Sequence, residues 1–460
     1  MLRGPEGLGV AAPTDRAPVF VELGALARLA VPIAIAQLGI LAMSLVDTAA
    51  IGRMSVVDLA GAGIGRSIGF GTVVIGIGLA GGLDPLAAQA IGAGDAGRAW
   101  QAFVTTLRAT LVLWPVLMAA AFAVTLSLPA VGLDAAVISR VRLYIAGQAP
   151  GLAAILAFSS AKTFLQAHGR TTPALVGSLV ANAINLPVTN LLVRGDGALN
   201  AVGLPGIGLP ALGAFGGGVA FSLACMVLLA FVGRAALEHR PRDASPRIPL
   251  GVVYRIGVPI GLQMFAEVGA FSLVALLSGA FGPEVASAHH IAIGLASFTF
   301  MGAVGVSGAT AVRVAYAIGQ GRSPRRAGVL GIGLGVAGML GGAVVFAAIP
   351  GPLMRLFTTD ERVVTVGIGL LRIAALFAIF DGVQAVASGA LRGAGDVRFP
   401  FLANIVAHWI VGFPAALVLG FTLHLGAPGL WWGLTAGLVF VSMSLAARFA
   451  VITRRPIARI

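Results

Sequence analysis

A long apolar unit occurs twice in this chain, and the spacing between the copies is held without a gap over much of its length. Pro32-Ile33 returns as Pro259-Ile260, and Gly92-Ala93-Gly94 returns as Gly319-Gln320-Gly321, both 227 positions later. Leu165 to Gly169 lines up with Leu391 to Gly395, and Pro187 with Pro414; across a shorter loop, Gly213 and Gly217 answer Gly429 and Gly433. A tandem duplication of a hydrophobic unit obliges both halves to take one topology. It is the arrangement in which secondary transporters build a site shared between two lobes.

The unit is apolar enough to leave water. Hydrophobic residues make up 58% of the chain and charged residues 10%, with a mean hydropathy of +0.98. Several windows reach the roughly 20 apolar residues needed to cross a hydrocarbon core about 30 Å thick. At roughly 35 residues per span and loop the chain accommodates about a dozen helices, which leaves no room for a separate soluble catalytic domain.

Reading apolar runs against Gly, Pro and Arg punctuation gives six spans per copy. In the first copy they lie near 26–52, 58–90, 100–128, 137–161, 172–194 and 206–233; in the second, near 252–281, 286–318, 328–349, 363–390, 398–420 and 427–450. The expected fold is all-α, with twelve transmembrane helices in two six-helix bundles. Six is even, so each copy begins and ends on one side of the membrane. The repeats are then parallel and related by a pseudo-two-fold axis along the membrane normal. The expected organisation is an N-terminal arm (1–25), a first lobe (26–233), a linker (234–251), a second lobe (252–450) and a tail (451–460).

The net charge of +13 comes from 29 arginines and the single lysine, Lys162, against 17 acids. In a soluble protein it would point to nucleic acid. Here the basic residues cluster in short segments between spans: Arg234, Arg240, Arg242 and Arg247; Arg322, Arg325 and Arg326; Arg454, Arg455 and Arg459. That pattern is the positive-inside signal, so these segments and both termini are assigned to the cytoplasm, with contact to membrane lipids and none to nucleic acid. The one cysteine, Cys225, lies in an apolar stretch, so no disulfide and no Cys-based metal site forms within the chain. Residues 1–24 lack the short apolar core of a cleavable signal peptide.

Charges inside the spans are the functional candidates. An ionised carboxylate near the bilayer centre costs about 2.5–3.5 kcal/mol on insertion scales, so it needs a partner, a cavity or a cation. Asp47, Glu267 and Asp381 fit this description, and none has an acidic counterpart in the other copy: the equivalent positions hold Val274, Ile40 and Ile155. A scaffold residue is expected in both copies; an acid in only one is a mark of acquired function, although drift at lipid-facing positions leaves the same asymmetry.

Their neighbours share faces with them. Gln263 and Glu267 are spaced i, i+4; Phe377, Asp381, Gln384 and Ser388 form one stripe; Asn182, Asn185 and Thr189 form another, and Asn404 aligns with His408. Single Asn or His residues in spans often serve as interhelical glue. A carboxylate in such a site exchanges between a proton and a cation, and an acidic, aromatic-lined cavity attracts organic cations. Arg66 is the competitor for this reading, since it could simply neutralise one acid. Asp84, near a cytoplasmic end, reads as structural or interfacial.

With these residues in place, the chain resembles the multidrug and toxic compound extrusion (MATE) family, and its NorM-like branch in particular. The likeness spans nearly all of 26–450. Its parts are Pro32 to Gln37, Val46-Asp47-Thr48 and Gly52; Pro85, Gln89, Gly92 and Gly94; and Pro259-Ile260-Gly261, Phe265 to Val268 and Ala288-His289-His290-Ile291. The resemblance implies a central outward-opening cleft in a monomer of the bacterial inner (plasma) membrane. It also implies export of amphipathic, often cationic compounds driven by inward Na+ or H+ flow, with no other cofactor.

Residue by residue, Glu267 and Asp381 match the cation-site acids of the second lobe, where they are the candidate Na+ ligands, and Asp47 matches the functional aspartate of the first lobe. The candidate cleft residues of the first lobe are Gln37, Asn182, Asn185 and Thr189. Those of the second are Gln263, Phe265, Phe377 and Gln384. Two positions depart from the pattern: Phe377 stands where relatives carry a tyrosine, and Thr189 where they carry Asp or Asn. The first removes an oxygen that could contact Na+, and the second weakens the match to a complete first-lobe cation site.

Other classes fit the same residues less well. A lipid or lipid-linked glycan flippase would be favoured by an arginine-rich cleft, and the spans offer acids instead. An intramembrane prenyl transferase needs clustered aspartates for magnesium and diphosphate, and no Asp-x-x-x-Asp occurs in the spans. A channel would call for a repeated filter segment, which is not visible.

Overall fold

In a computed structural model, which describes residues 18–460 apart from Arg53, Val202, Asp243 and Ala244, twelve helices are long and apolar enough to cross a membrane. They are α1 (Val19–Gly52), α2 (Val56–Gly92), α3 (Ala96–Val124), α4 (Ala135–Ala167), α5 (Thr172–Arg194) and α6 (Gly213–Leu237) in the first copy. The second holds α7 (Leu250–Ser278), α8 (Pro283–Gly319), α9 (Arg325–Ala348), α10 (Glu361–Gly393), α11 (Arg398–Thr422) and α12 (Gly426–Ile452). No strand occurs among the described residues. One core cluster holds Leu156, Phe158 and Leu228 of the first copy and continues across the seam into Val253, Ile256 and Val312 of the second, while another, with Leu371, Trp431 and Leu438, lies within the second copy.

The expected boundaries shift where tertiary contacts outweigh local composition. Helix α1 starts at Val19, not at residue 26, because the charge of Glu22 is neutralised by Arg313 of α8, both side chains being buried. Residues 1–17 of the expected arm lie outside the described residues, as do Asp243 and Ala244 of the expected linker. Helix α6 runs on to Leu237 and α7 begins at Leu250, so the non-helical linker is shorter than 234–251. Long arginine stems let a helix continue past a basic residue such as Arg234 at its end.

At its other end α6 starts at Gly213 rather than 206, since 205–212 carries Pro205 and Pro210 and folds as a loop. Helix α12 extends to Ile452, two residues into the expected tail. Helix α11 is interrupted by π-helical turns at Val406–Gly412 and Val418–Thr422, flanking the kink-forming Pro414.

The copies meet through α1 against α8 and α2 against α7. The contacts are close because both sides are glycine: a Cβ on Gly78 would overlap the backbone of Gly261, and one on Gly82 would crowd Gly257. Both described ends of the chain lie at the same end of the molecule. Glu22 pairs with Arg313 there, and Ile460 donates its N–H to Gln89 Oε1 at 2.9 Å.

Candidate substrate cleft and cation sites

The two lobes close on each other at the termini end and part toward the other end. On α2, Gly82 and Gly78 touch α7, whereas Gly71, further along the same face, has open space before it. On α7, Gly257 and Gly261 touch α2, and Phe265 one turn on is 46% exposed. On α8, Gly305 packs on Ala30 and Ala34 of α1, and Phe298 two turns away is 58% exposed.

In the first lobe, Asp47 of α1 is completely buried and faces α5. Thr189 donates its hydroxyl to Asp47 Oδ1 at 2.9 Å, and Asn185 Nδ2 donates to the same oxygen at 3.4 Å. Asp47 Oδ2 and Asn185 Oδ1 are buried without a partner. Arg66 of α2 stands nearby without bonding Asp47. Its Nη1 donates to Ser44 O at 2.8 Å and to Thr48 Oγ1 at 2.7 Å, and its Nε to the Tyr144 hydroxyl at 3.4 Å. Among the described residues no ion pair within 4 Å joins Arg66 to an acid. It acts on Asp47 through space alone. Asn182, on the same stripe, is spent on backbone, donating to Gly39 O and Ser178 O. Gln37 sits further along α1, where Lys162 Nζ donates to its Oε1 at 3.4 Å.

In the second lobe, three helices converge on Glu267 of α7. Gln384 Nε2 of α10 and Asn404 Nδ2 of α11 both donate to Glu267 Oε2, at 3.1 and 3.2 Å. The carbonyl oxygens of both amides, Gln384 Oε1 and Asn404 Oδ1, are buried and accept no hydrogen bond among the described residues. Asp381, one turn from Gln384, is 6% exposed, accepts no hydrogen bond among the described residues and is close enough to feel the charge of Glu267. Gln263 Nε2 donates to Ser388 Oγ at 3.2 Å, completing the α7–α10 seam.

Phe377 is packed in the core against Phe271 and Trp431, and His408 meets the edge of Phe271. Phe377 thus forms the wall behind the acids, while Phe265 is exposed on the inter-lobe face. Trp431 donates its indole N–H to His289 Nδ1 at 3.1 Å. The aromatic shell of Trp431 and His289 joins α8 to α12, a pairing with no local signature in the sequence.

Chemically, the second-lobe site is rich in acceptors: two carboxyls and two amide carbonyls, against two amide donors. Buried acceptors in excess call for a proton or a hard cation, which takes oxygen ligands. Among the described residues no cluster of three or more His, Cys, Asp or Glu side chains is placed to hold a metal ion. A cation there would rest on the two acids and the amide oxygens. Asp84 is held apart from these sites, paired with Arg392 across the lobes at 2.8 Å, which makes it interfacial.

Twelve helices, two duplicated lobes and acids buried beside an inter-lobe space define a polytopic membrane transporter. The sequence profile of the MatE family matches twice, over residues 32–191 and 259–418, with the same 227-residue offset that the repeat shows. This protein belongs to the MatE family, a family of transporters and not an enzyme class, and is a multi-pass bacterial membrane protein. It is similar to the "Probable multidrug resistance protein NorM" of Deinococcus radiodurans, with 36% identity over 455 residues covering 96% of this chain and 98% of the relative. Two solved structures share its fold. One is a eukaryotic MATE transporter (TM-score 0.83, 20% identity, 95% of this chain and 99% of that one). The other is an outward-facing multidrug resistance MATE transporter of the MOP superfamily (TM-score 0.82, 17% identity, 96% of this chain and 98% of that one).

Proposed function

We infer that this protein is a secondary active multidrug efflux transporter of the bacterial inner membrane. It exports amphipathic, often cationic compounds in exchange for Na+ or H+, and both termini are cytoplasmic. Glu267 and Asp381 form the principal coupling site, and Asp47 with Asn185 and Thr189 forms the first-lobe site. The observation that carries this reading is the excess of buried acceptors around Glu267 and Asp381, which a proton or Na+ would satisfy. The name of the Deinococcus relative supports drugs as cargo. With the termini in the cytoplasm, the closed glycine seam lies inside and the parted ends lie outside, an outward-facing form.

The coupling follows from electrostatics. Two neighbouring carboxyls in a low-dielectric site repel when both are ionised, so the pair retains a proton or cation until cargo or water changes its surroundings. Loading and unloading one positive charge then biases which side of the membrane the lobes expose.

The test is dye transport in everted vesicles with Na+ and pH gradients imposed separately. Glu267→Gln or Asp381→Asn is expected to lower gradient-driven transport of a cationic dye at least about a hundredfold, the loss of roughly 3 kcal/mol of charge interaction, with expression unchanged. Undiminished transport in both variants would remove these acids from the mechanism.

A further inference from the structure

Lys162 is the only lysine in the chain, and it lies five residues before the end of α4. The lobes meet just below it. Ile33 of α1 and Gln166 of α4 are the side chains nearest to Gly308 of α8. One helical turn further from the termini end on both helices stand Gln37 and Lys162, both only partly buried. They form the floor of the space between the lobes.

The ammonium has little to hold it. Its Nζ donates to Gln37 Oε1 at 3.4 Å and lies 5.7 Å from the centre of the Phe158 ring. No carboxylate lies within salt-bridge distance among the described residues. Asp84, the acid that acts on it through space, is already engaged by Arg392 at 2.8 Å. A partly exposed cation held by one neutral acceptor at 3.4 Å and an aromatic face keeps donors free for an anionic partner.

We propose that Lys162 receives an anionic group of the cargo, a carboxylate or an equivalent oxyanion. Amphiphiles carrying both signs of charge are then held between Lys162 on the first lobe and the acids Glu267 and Asp381 on the second. The proposal deepens the efflux reading and rests on it. Lys162 thereby decides which cargo is preferred: a molecule with a free acid gains a charge-assisted bond that its ester lacks.

The test uses two xanthene dyes that differ only in a free carboxylate or its ethyl ester, with equilibrium binding to the detergent-solubilised protein read by fluorescence anisotropy. Lys162→Met keeps the unbranched apolar stem and removes the terminal charge. It is expected to weaken binding of the free-acid dye about tenfold or more and to leave the ester within about twofold, which also reports an intact fold. Lys162→Arg is expected to restore the preference for the free acid. Equal losses for both dyes in Lys162→Met, no loss for either, or failure of the wild type to bind the free-acid dye would each overturn the proposal. A retained binding preference with no transport of either dye in proteoliposomes would count against the efflux reading alone.

Discussion

At the scale of single residues, the two lobes hold their acids by different means. Asp47 depends on one good donor, the Thr189 hydroxyl at 2.9 Å, since Asn185 reaches it only at 3.4 Å. Thr189→Val keeps the shape and removes that donor, leaving a buried carboxyl with one long bond. Hydrogen bonds to charged groups contribute about 1.5–3 kcal/mol, so initial dye-transport rates should fall roughly tenfold or more. Thr189→Ser, which keeps the hydroxyl, should retain most of the rate. An unchanged rate in the valine variant would show that the bond to Asp47 is not used in transport.

At the scale of elements, the connection between α5 and α6 shows how a loop outside the membrane is fixed by one acid. Asp196 accepts the N–H groups of Ile207 and Leu209 at 3.0 Å and of Gly208 at 2.9 Å. These bonds, led by that from Leu209, hold its carboxyl below the ordinary carboxylate value. The same connection delivers Ala214 to Asp58 of α2, whose Oδ1 caps α6 at 2.9 Å. A depressed value in the folded loop means that the stabilisation is complete above the unfolded value of about 3.9 and is lost as pH falls through the folded value. Protection of the Ile207, Gly208 and Leu209 amides, taken relative to their intrinsic exchange rates, should therefore be high near neutral pH and fall in acid. In Asp196→Asn the protection should be low at both. Equal protection in the variant at neutral pH would remove Asp196 from the account of the loop.

At the scale of the whole molecule, ion pairs join the lobes at the termini end, among them Glu22 with Arg313 and Asp84 with Arg392. In the first, both side chains are nearly excluded from solvent, at 5% and 3% exposure. Removing one partner of a buried pair costs about 3–5 kcal/mol, because the other charge is stranded. Alternative states of one protein commonly differ by only a few kcal/mol, so this loss is enough to move the population. Arg313→Met should open the termini end, seen as increased thiol labelling of a cysteine placed at Ile33, which is buried against Gly308 across the seam and is replaced there by a smaller side chain. Glu22→Leu combined with Arg313→Met should restore the closed form, since an apolar pair strands no charge. If labelling stays at the wild-type level in Arg313→Met, the pair does not hold the lobes closed.

The sequence by itself determined the duplication, the number and approximate ends of the spans, and the three acids inside the spans, because apolar length and helical period are local properties. The stripe of Phe377, Asp381, Gln384 and Ser388 was legible for the same reason: residues on one helix share a face whatever that helix packs against. Only the tertiary structure decided which donors meet each acid. Thr189 reaches Asp47 over 142 positions, Asn404 reaches Glu267 over 137, and Arg313 reaches Glu22 over 291. Such meetings depend on which helix packs beside which, and spacing along one helix carries no record of its neighbour. For the same reason Glu22 read as part of a polar arm and became a spanning residue once Arg313 neutralised it.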